Sequence, residues 1–228
     1  PREGKPGVKS RDCNVKVQYK KQFMNKVAIF TDWMYEFAAP EEVRQSALSY
    51  TENLYHHRGK TNHTTYPEEF FSDDFDLIRN WIDLCLSEIH KDLNLECESL
   101  VSSVVWSTLT HKGQWHHTHK HGASFASGVF YLNDSSAETW FSRESIWSPE
   151  YNLLALHDPE VSTLFYKKKT KPGDMLVFPS GVYHSATEHD LENPRRTISF
   201  NSFPSGQIGS YSDLYSRRLL NLTVNQKQ

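Results

Sequence analysis

Apolar and polar positions divide the chain into a helix-forming first part and a strand-rich second part. Residues 27–37 are β-branched and aromatic and read as a strand. Pro40-Glu41-Glu42 opens a helix predicted to run to about Tyr55, with acidic residues where the helix dipole favours them. Ser72-Asp73-Asp74 is an N-cap signal. After it Phe75, Ile78, Ile82, Leu86 and Ile89 recur at helical spacing, with Trp81 and Cys85 alongside. This predicts an amphipathic helix over 73–93 that lays its apolar stripe against a core.

The pattern changes at Leu100. Val101, Val104, Val105, Trp106 and Leu109 suggest a strand. Further short strands are predicted over 125–132, 163–168, 175–178, 182–187 and 197–203, separated by Gly, Pro and Asn turns such as Lys171-Pro172-Gly173-Asp174. Two early helices and many later strands predict an α+β, mainly β, chain built on a sandwich or barrel. The expected organisation is a single domain over 1–228. Residues 1–14 form a loose polar arm, 15–99 strand and helical support, 100–203 the barrel core, and 204–228 a C-terminal extension.

Composition narrows the classes. The 228 residues are 37% hydrophobic, enough for a sizeable core. A net charge of −3 carries no field that would draw in nucleic acid, and no apolar stretch is long enough for a bilayer span. The first residues lack the apolar run of a signal peptide, and three cysteines make no disulfide framework, so the expectation is a cytoplasmic protein. Lys167-Lys168-Lys169 reads as a solvated strand end.

The unusual count is histidine: twelve in all, five of them between His111 and His121. Alternation in a strand would place His117, His119 and His121 on one side, and imidazole suits iron, zinc, copper and nickel. One strand cannot surround an ion. His184 is the best remote partner, because alternation groups it with Val182 and Ala186. In Arg195-Arg196-Thr197-Ile198-Ser199-Phe200, Arg196 shares its parity with Ile198 and Phe200, so Arg196 is expected on the buried face. A buried guanidinium needs a partner, and a carboxylate ligand gripped bidentately meets that need. Tyr131 shares a parity with Ser127 and Val129 and is expected to point toward the same carboxylate. The bland alternatives are solvated histidines, a core His184, a core Tyr131, and an Arg196 ion pair to Glu188 or Glu192. For His116 and His117 a surface position, or a supporting place behind the ligands, is the preferred reading.

In order and spacing, His119-Lys120-His121-Gly122-Ala123-Ser124, Ser127-Gly128-Val129-Phe130-Tyr131-Leu132, Pro172-Gly173-Asp174, Phe178-Pro179-Ser180, His184 and Arg196 resemble the 2-oxoglutarate- and iron(II)-dependent oxygenase superfamily. The nearest likeness is to small oxygenases of phages and bacteria related to the prolyl 4-hydroxylases, and it covers about residues 100–203. It implies a double-stranded β-helix (a jelly-roll or cupin-like barrel). It also implies Fe(II) on His119, His121 and His184, 2-oxoglutarate as co-substrate held by Arg196 and Tyr131, and O2 as oxidant. The usual carboxylate of the triad is here His121. That residue is either a true third ligand or stands off the metal with water in its place, as the likeness to the aspartyl/asparaginyl β-hydroxylases suggests.

The implied activity is hydroxylation of a protein or peptide side chain or a small metabolite, with release of succinate and CO2. Loop 133–162 would read the substrate, and Trp106, Trp115, Trp140 and Trp147 are candidates for lining the cavity. The competing readings are a cupin-like three-histidine metalloenzyme that does not use 2-oxoglutarate, and a non-catalytic barrel that only binds. Oligomeric state has no signature in the sequence.

Overall fold

The computed structural model of the protein describes residues 24–29, 32–142, 165–208 and 220–224. The stretch expected as one strand over 27–37 is a hairpin. β1 (Met24–Ile29) pairs with β2 (Asp32–Ala38) from Met24 opposite Phe37 to Ile29 opposite Asp32. Continuous β-branched and aromatic composition reports strand propensity but does not mark where a chain reverses. The expected arm over 1–14 lies outside the described residues.

Helix α1 (Glu41–Glu52) begins directly after Pro40, as predicted. The second predicted helix starts as a short 3-10 turn, Asp73–Phe75, with the Ser72 side chain accepting from Asp74 N at 3.2 Å, and continues as α2 (Asp76–Leu93). Asn94 closes α2 in the left-handed conformation, with φ 50°. The residues of the predicted stripe are buried: Phe75, Ile78, Ile82, Cys85, Leu86 and Ile89.

The remaining strands are β3 (His57–Arg58), β4 (His63–Thr64), β5 (Cys97–Thr110), β6 (His116–His119), β7 (Ala126–Tyr131), β8 (Thr139–Ser142), β9 (Phe165–Lys168), β10 (Asp174–Pro179), β11 (Tyr183–Ala186), β12 (Arg195–Ile208) and β13 (Leu220–Leu222). They form two antiparallel sheets. The larger runs β1-β2-β10-β7-β12-β5-β4-β3, with β13 added to β12; the smaller runs β6-β11-β8-β9. This is the double-stranded β-helix implied by the resemblance, a mainly β fold with helices on one side. β12 runs five residues past the expected end at Phe203, and β13 pairs with that overrun, Gly206 opposite Leu222.

Each sheet face has its own core. One face of the large sheet packs Phe130, Met175, Val177, Ile198 and Phe200 against α1 and α2. The other face, inside the barrel, gathers Met34, Tyr131, Phe141, Leu176, Phe178 and Val182. Gly128 on β7 is fixed by the first core: a Cβ there would stand 2.2 Å from the Phe200 ring. Gly173, at φ +92°, makes the predicted turn into β10, where Asp174 N bonds to Lys171 O at 3.1 Å. Lys168 is not simply solvated, since it pairs with Glu36 at 2.7 Å.

Candidate metal centre

The centre is built where the small sheet faces the barrel interior. β11 pairs with β6 so that His184 lies opposite His119, and the next pair is Ala186 opposite His116. Two steps on β11 therefore match three on β6, a bulge. The bulge shifts the parity of β6, so His116 joins His119 on the cavity side in place of His117. His121 lies just past the end of β6, in a turn held by its N–H donating to Ser180 O at 2.9 Å. Ser180 is itself tied by hydroxyl bonds of 2.8 Å to Ser127 and to Ser124. The Phe-Pro-Ser segment thus locks one ligand loop to the large sheet.

His119, His121 and His184 converge, with candidate ligand nitrogens all within 4.8 Å of one another. Among the described residues they are the one group of three or more that could hold a metal ion. His119 Nδ1 lies 2.8 Å from His117 O, and His184 Nδ1 lies 3.2 Å from Val182 O. A carbonyl only accepts, so each Nδ1 carries the proton and each Nε2 presents a lone pair. His121 Nε2 and His184 Nε2 are 3.3 Å apart. Two imidazole nitrogens at about 2.0–2.1 Å from one ion and roughly at right angles stand about 3 Å from each other. The donor set therefore fits a divalent transition metal.

The electrostatics agree. Burial first, and mutual repulsion with His119 second, push the His121 imidazole down to about 4. Burial drives His184 well below its ordinary value, and also lowers His119. His116 falls to about 3, through burial, His119 and then Arg195. All four rings are neutral at pH 7, the form that ligates metal.

Beside the centre is a small cleft, with room of about 30 Å3 for water. Tyr131 lines it as predicted, 2% exposed, with its hydroxyl 2.6 Å from Thr139 Oγ1. Trp106 also lines it, whereas Trp115 is 46% exposed, Trp140 lies under Lys167 at 4.0 Å, and Trp147 is outside the described residues. The expected substrate loop over 133–162 is described only as far as residue 142.

The arginine is the main correction. Arg196 does not face the cleft: its Nη1 donates to Thr51 O of α1 at 3.1 Å. Arg195 does, 4% exposed, with its guanidinium 5.3 Å from the Tyr131 ring centroid. The apolar face of β12, expected toward the barrel interior, packs on the helices, and the polar parity turns inward. The Arg195 Nε is buried without a hydrogen-bond partner. Burial pulls this guanidinium below its ordinary value, and the Tyr131 neighbour partly offsets that. A buried cation with an unused donor, next to a metal-binding triad, fits an anionic ligand such as a carboxylate. Arg195 and His116 were missed in the sequence. Arg195 was legible in the polar row Arg195, Thr197, Ser199; the bulge that turns His116 inward had no signal.

Residues 104–201 match the family described as "Putative 2OG-Fe(II) oxygenase". That segment runs from β5 through β12 and carries all three histidines and Arg195. It marks the barrel as that of a 2-oxoglutarate-dependent non-haem iron oxygenase. No curated protein sequence matches the chain. Among solved structures, HygX from Streptomyces hygroscopicus with nickel and 2-oxoglutarate bound is 12% identical, with TM-score 0.57 over 84% of this chain and 92% of that one. A prolyl-4-hydroxylase from Pseudomonas putida is 14% identical, with TM-score 0.52 over 76% and 93%. A prolyl hydroxylase from Trichoplax adhaerens, in complex with a hypoxia-inducible factor peptide fragment, is 12% identical, with TM-score 0.50 over 79% and 83%. These likenesses establish the fold.

Proposed function

We propose that the chain is a hydroxylase that binds Fe(II) on His119, His121 and His184 and anchors 2-oxoglutarate by its distal carboxylate on Arg195. The observation that carries this reading is the buried, unpartnered Nε of Arg195 in the cleft beside the triad. A three-histidine site working without 2-oxoglutarate would leave that donor unexplained. A protein built only to bind would need neither the fixed tautomers nor the buried cation.

When bound, iron(II) with 2-oxoglutarate and O2 supplies oxidative decarboxylation: one oxygen atom enters succinate as CO2 leaves, and the other enters a substrate C–H bond. The chain's own residues set the geometry. His119 and His184 hold their Nε2 lone pairs on the centre because the carbonyls of His117 and Val182 fix the rings. His121 completes the set as an imidazole where a carboxylate is usual, leaving the centre one negative charge short. Arg195 offers its guanidinium to the far carboxylate, and Tyr131, whose phenol is held neutral by burial, lies along it. Phe178, essentially inaccessible, lines the cleft against His184 at 4.7 Å between ring centroids, and Phe141 packs behind it at 4.9 Å.

The substrate is a peptide side chain or a small molecule. Relatives in fold span both: a prolyl hydroxylase bound to a peptide, and HygX bound to hygromycin B. The decisive experiment adds Fe(II) and 2-oxoglutarate without oxygen and follows the visible charge-transfer absorption of the chelate. Oxygen is then admitted and succinate is assayed. The band and succinate are expected; a metal-loaded protein that shows neither would overturn the proposal.

A further inference from the structure

Two groups lining the cleft have donors without a protein partner: Arg195, whose Nε is buried, and His116, whose imidazole lines the cleft. No group among the described residues hydrogen-bonds the His116 ring, whose contacts are with other rings. It stacks on His119 at 4.6 Å between centroids and 29° between planes, and meets His117 edge-on at 5.2 Å. His116 is not one of the three residues whose nitrogens converge within 4.8 Å, so it stands outside the ligand set. Its strand partner across the bulge is Ala186, a small residue that leaves the ring room on the cleft side.

His116 lines the same cleft as the triad and Arg195, and the oxygens of a dicarboxylate held between them need more donors than one guanidinium supplies. We propose that His116 is a further binding residue for the co-substrate, its imidazole N–H donating to a carboxylate oxygen of 2-oxoglutarate. The assignment rests on the oxygenase reading above. The bulge in β6 selects the ring that serves, since it puts His116 rather than His117 on the cleft side.

The test measures binding rather than turnover. 2-Oxoglutarate is titrated anaerobically into Fe(II)-loaded protein by its visible absorption, and into Ni(II)-loaded protein by calorimetry. Metal affinity is measured in parallel by competition with a chromophoric chelator. His116→Phe keeps the stacked ring and removes the donor; it is expected to raise the Kd for 2-oxoglutarate about ten- to hundredfold, the range for one hydrogen bond to a charged group, with metal affinity within about twofold. His116→Gln restores an N–H donor and should recover part of the loss. An unchanged 2-oxoglutarate Kd in the phenylalanine variant would overturn the assignment and leave His116 a packing residue. Parallel loss of metal affinity would overturn it in favour of a fourth ligand. Wild-type protein that binds metal but no 2-oxoglutarate would instead overturn the oxygenase reading, a result distinguishable because it precedes any variant.

Discussion

The two faces of β12 carry opposite chemistry on one strand. Toward the helices it presents Ile198 and Phe200, fully buried against Phe130 and α2, with Arg196 at the rim reaching Thr51. Toward the barrel interior it presents Arg195, Thr197 and Ser199, nearly as inaccessible but lining the cleft with Val129 and Tyr131. The strand pairs repeat the division. Ile198 and Phe200 lie opposite Phe130 and Gly128, while Thr197 and Ser199 lie opposite Tyr131 and Val129. Burial alone therefore does not separate stability from function here; the difference is whether the buried row has its polar groups satisfied. The helix-facing row is apolar and complete in itself. The interior row keeps an unsatisfied guanidinium nitrogen, which costs stability unless a ligand takes it.

That contrast can be broken in order of expected effect. Phe200→Ala strikes the helix-facing row and should cost about 3–5 kcal/mol of stability through the cavity it leaves. Denaturant unfolding checks this; a loss under about 1 kcal/mol would mean that the Gly128–Phe200 contact is not a packing constraint. Arg195→Ala strikes the interior row. It should raise the Kd for 2-oxoglutarate about a hundredfold, roughly 2–3 kcal/mol, while leaving the melting temperature of ligand-free protein unchanged or higher. Retained affinity would move the anchor elsewhere.

Acid should act most strongly on the interior, with a smaller share from His56 and His111, which burial also lowers outside the cleft. His116 and His121 titrate at about 3 and 4 when folded, against an unfolded value near 6.5. Between those limits the unfolded chain binds protons that the native one refuses, so stability is complete above about pH 6.5 and is lost as the pH falls below it. For metal-free protein the loss between pH 7 and pH 5.5 should be on the order of 2 kcal/mol, read from urea midpoints. A midpoint independent of pH across that window would show that the rings are not buried as neutral species. The smallest effect is expected for Arg196→Ala: half a kcal/mol or less of stability, and 2-oxoglutarate affinity within about twofold, measured in the same titration as Arg195→Ala.

Much of the fold could be read from local pattern. The stripe from Phe75 to Ile89 places α2, and Pro-Gly-Asp at 172–174 places the turn into β10, because helical periodicity and turn chemistry are properties of neighbouring residues. The three histidines were found from motif spacing, and the structure brings them together within one metal's reach. What local pattern left open was direction. Alternation sorts β12 into two rows, but which row faces the cleft depends on where the helices pack. Here they cover the apolar row, so Arg195 and not Arg196 enters the site. In β6, strict alternation selected His117, and a bulge against β11 exchanged it for His116. Sequence periodicity fixes the relative phase of side chains along one strand. The absolute phase is set by the neighbouring strands and the layer packed above them, and only the tertiary structure decides that.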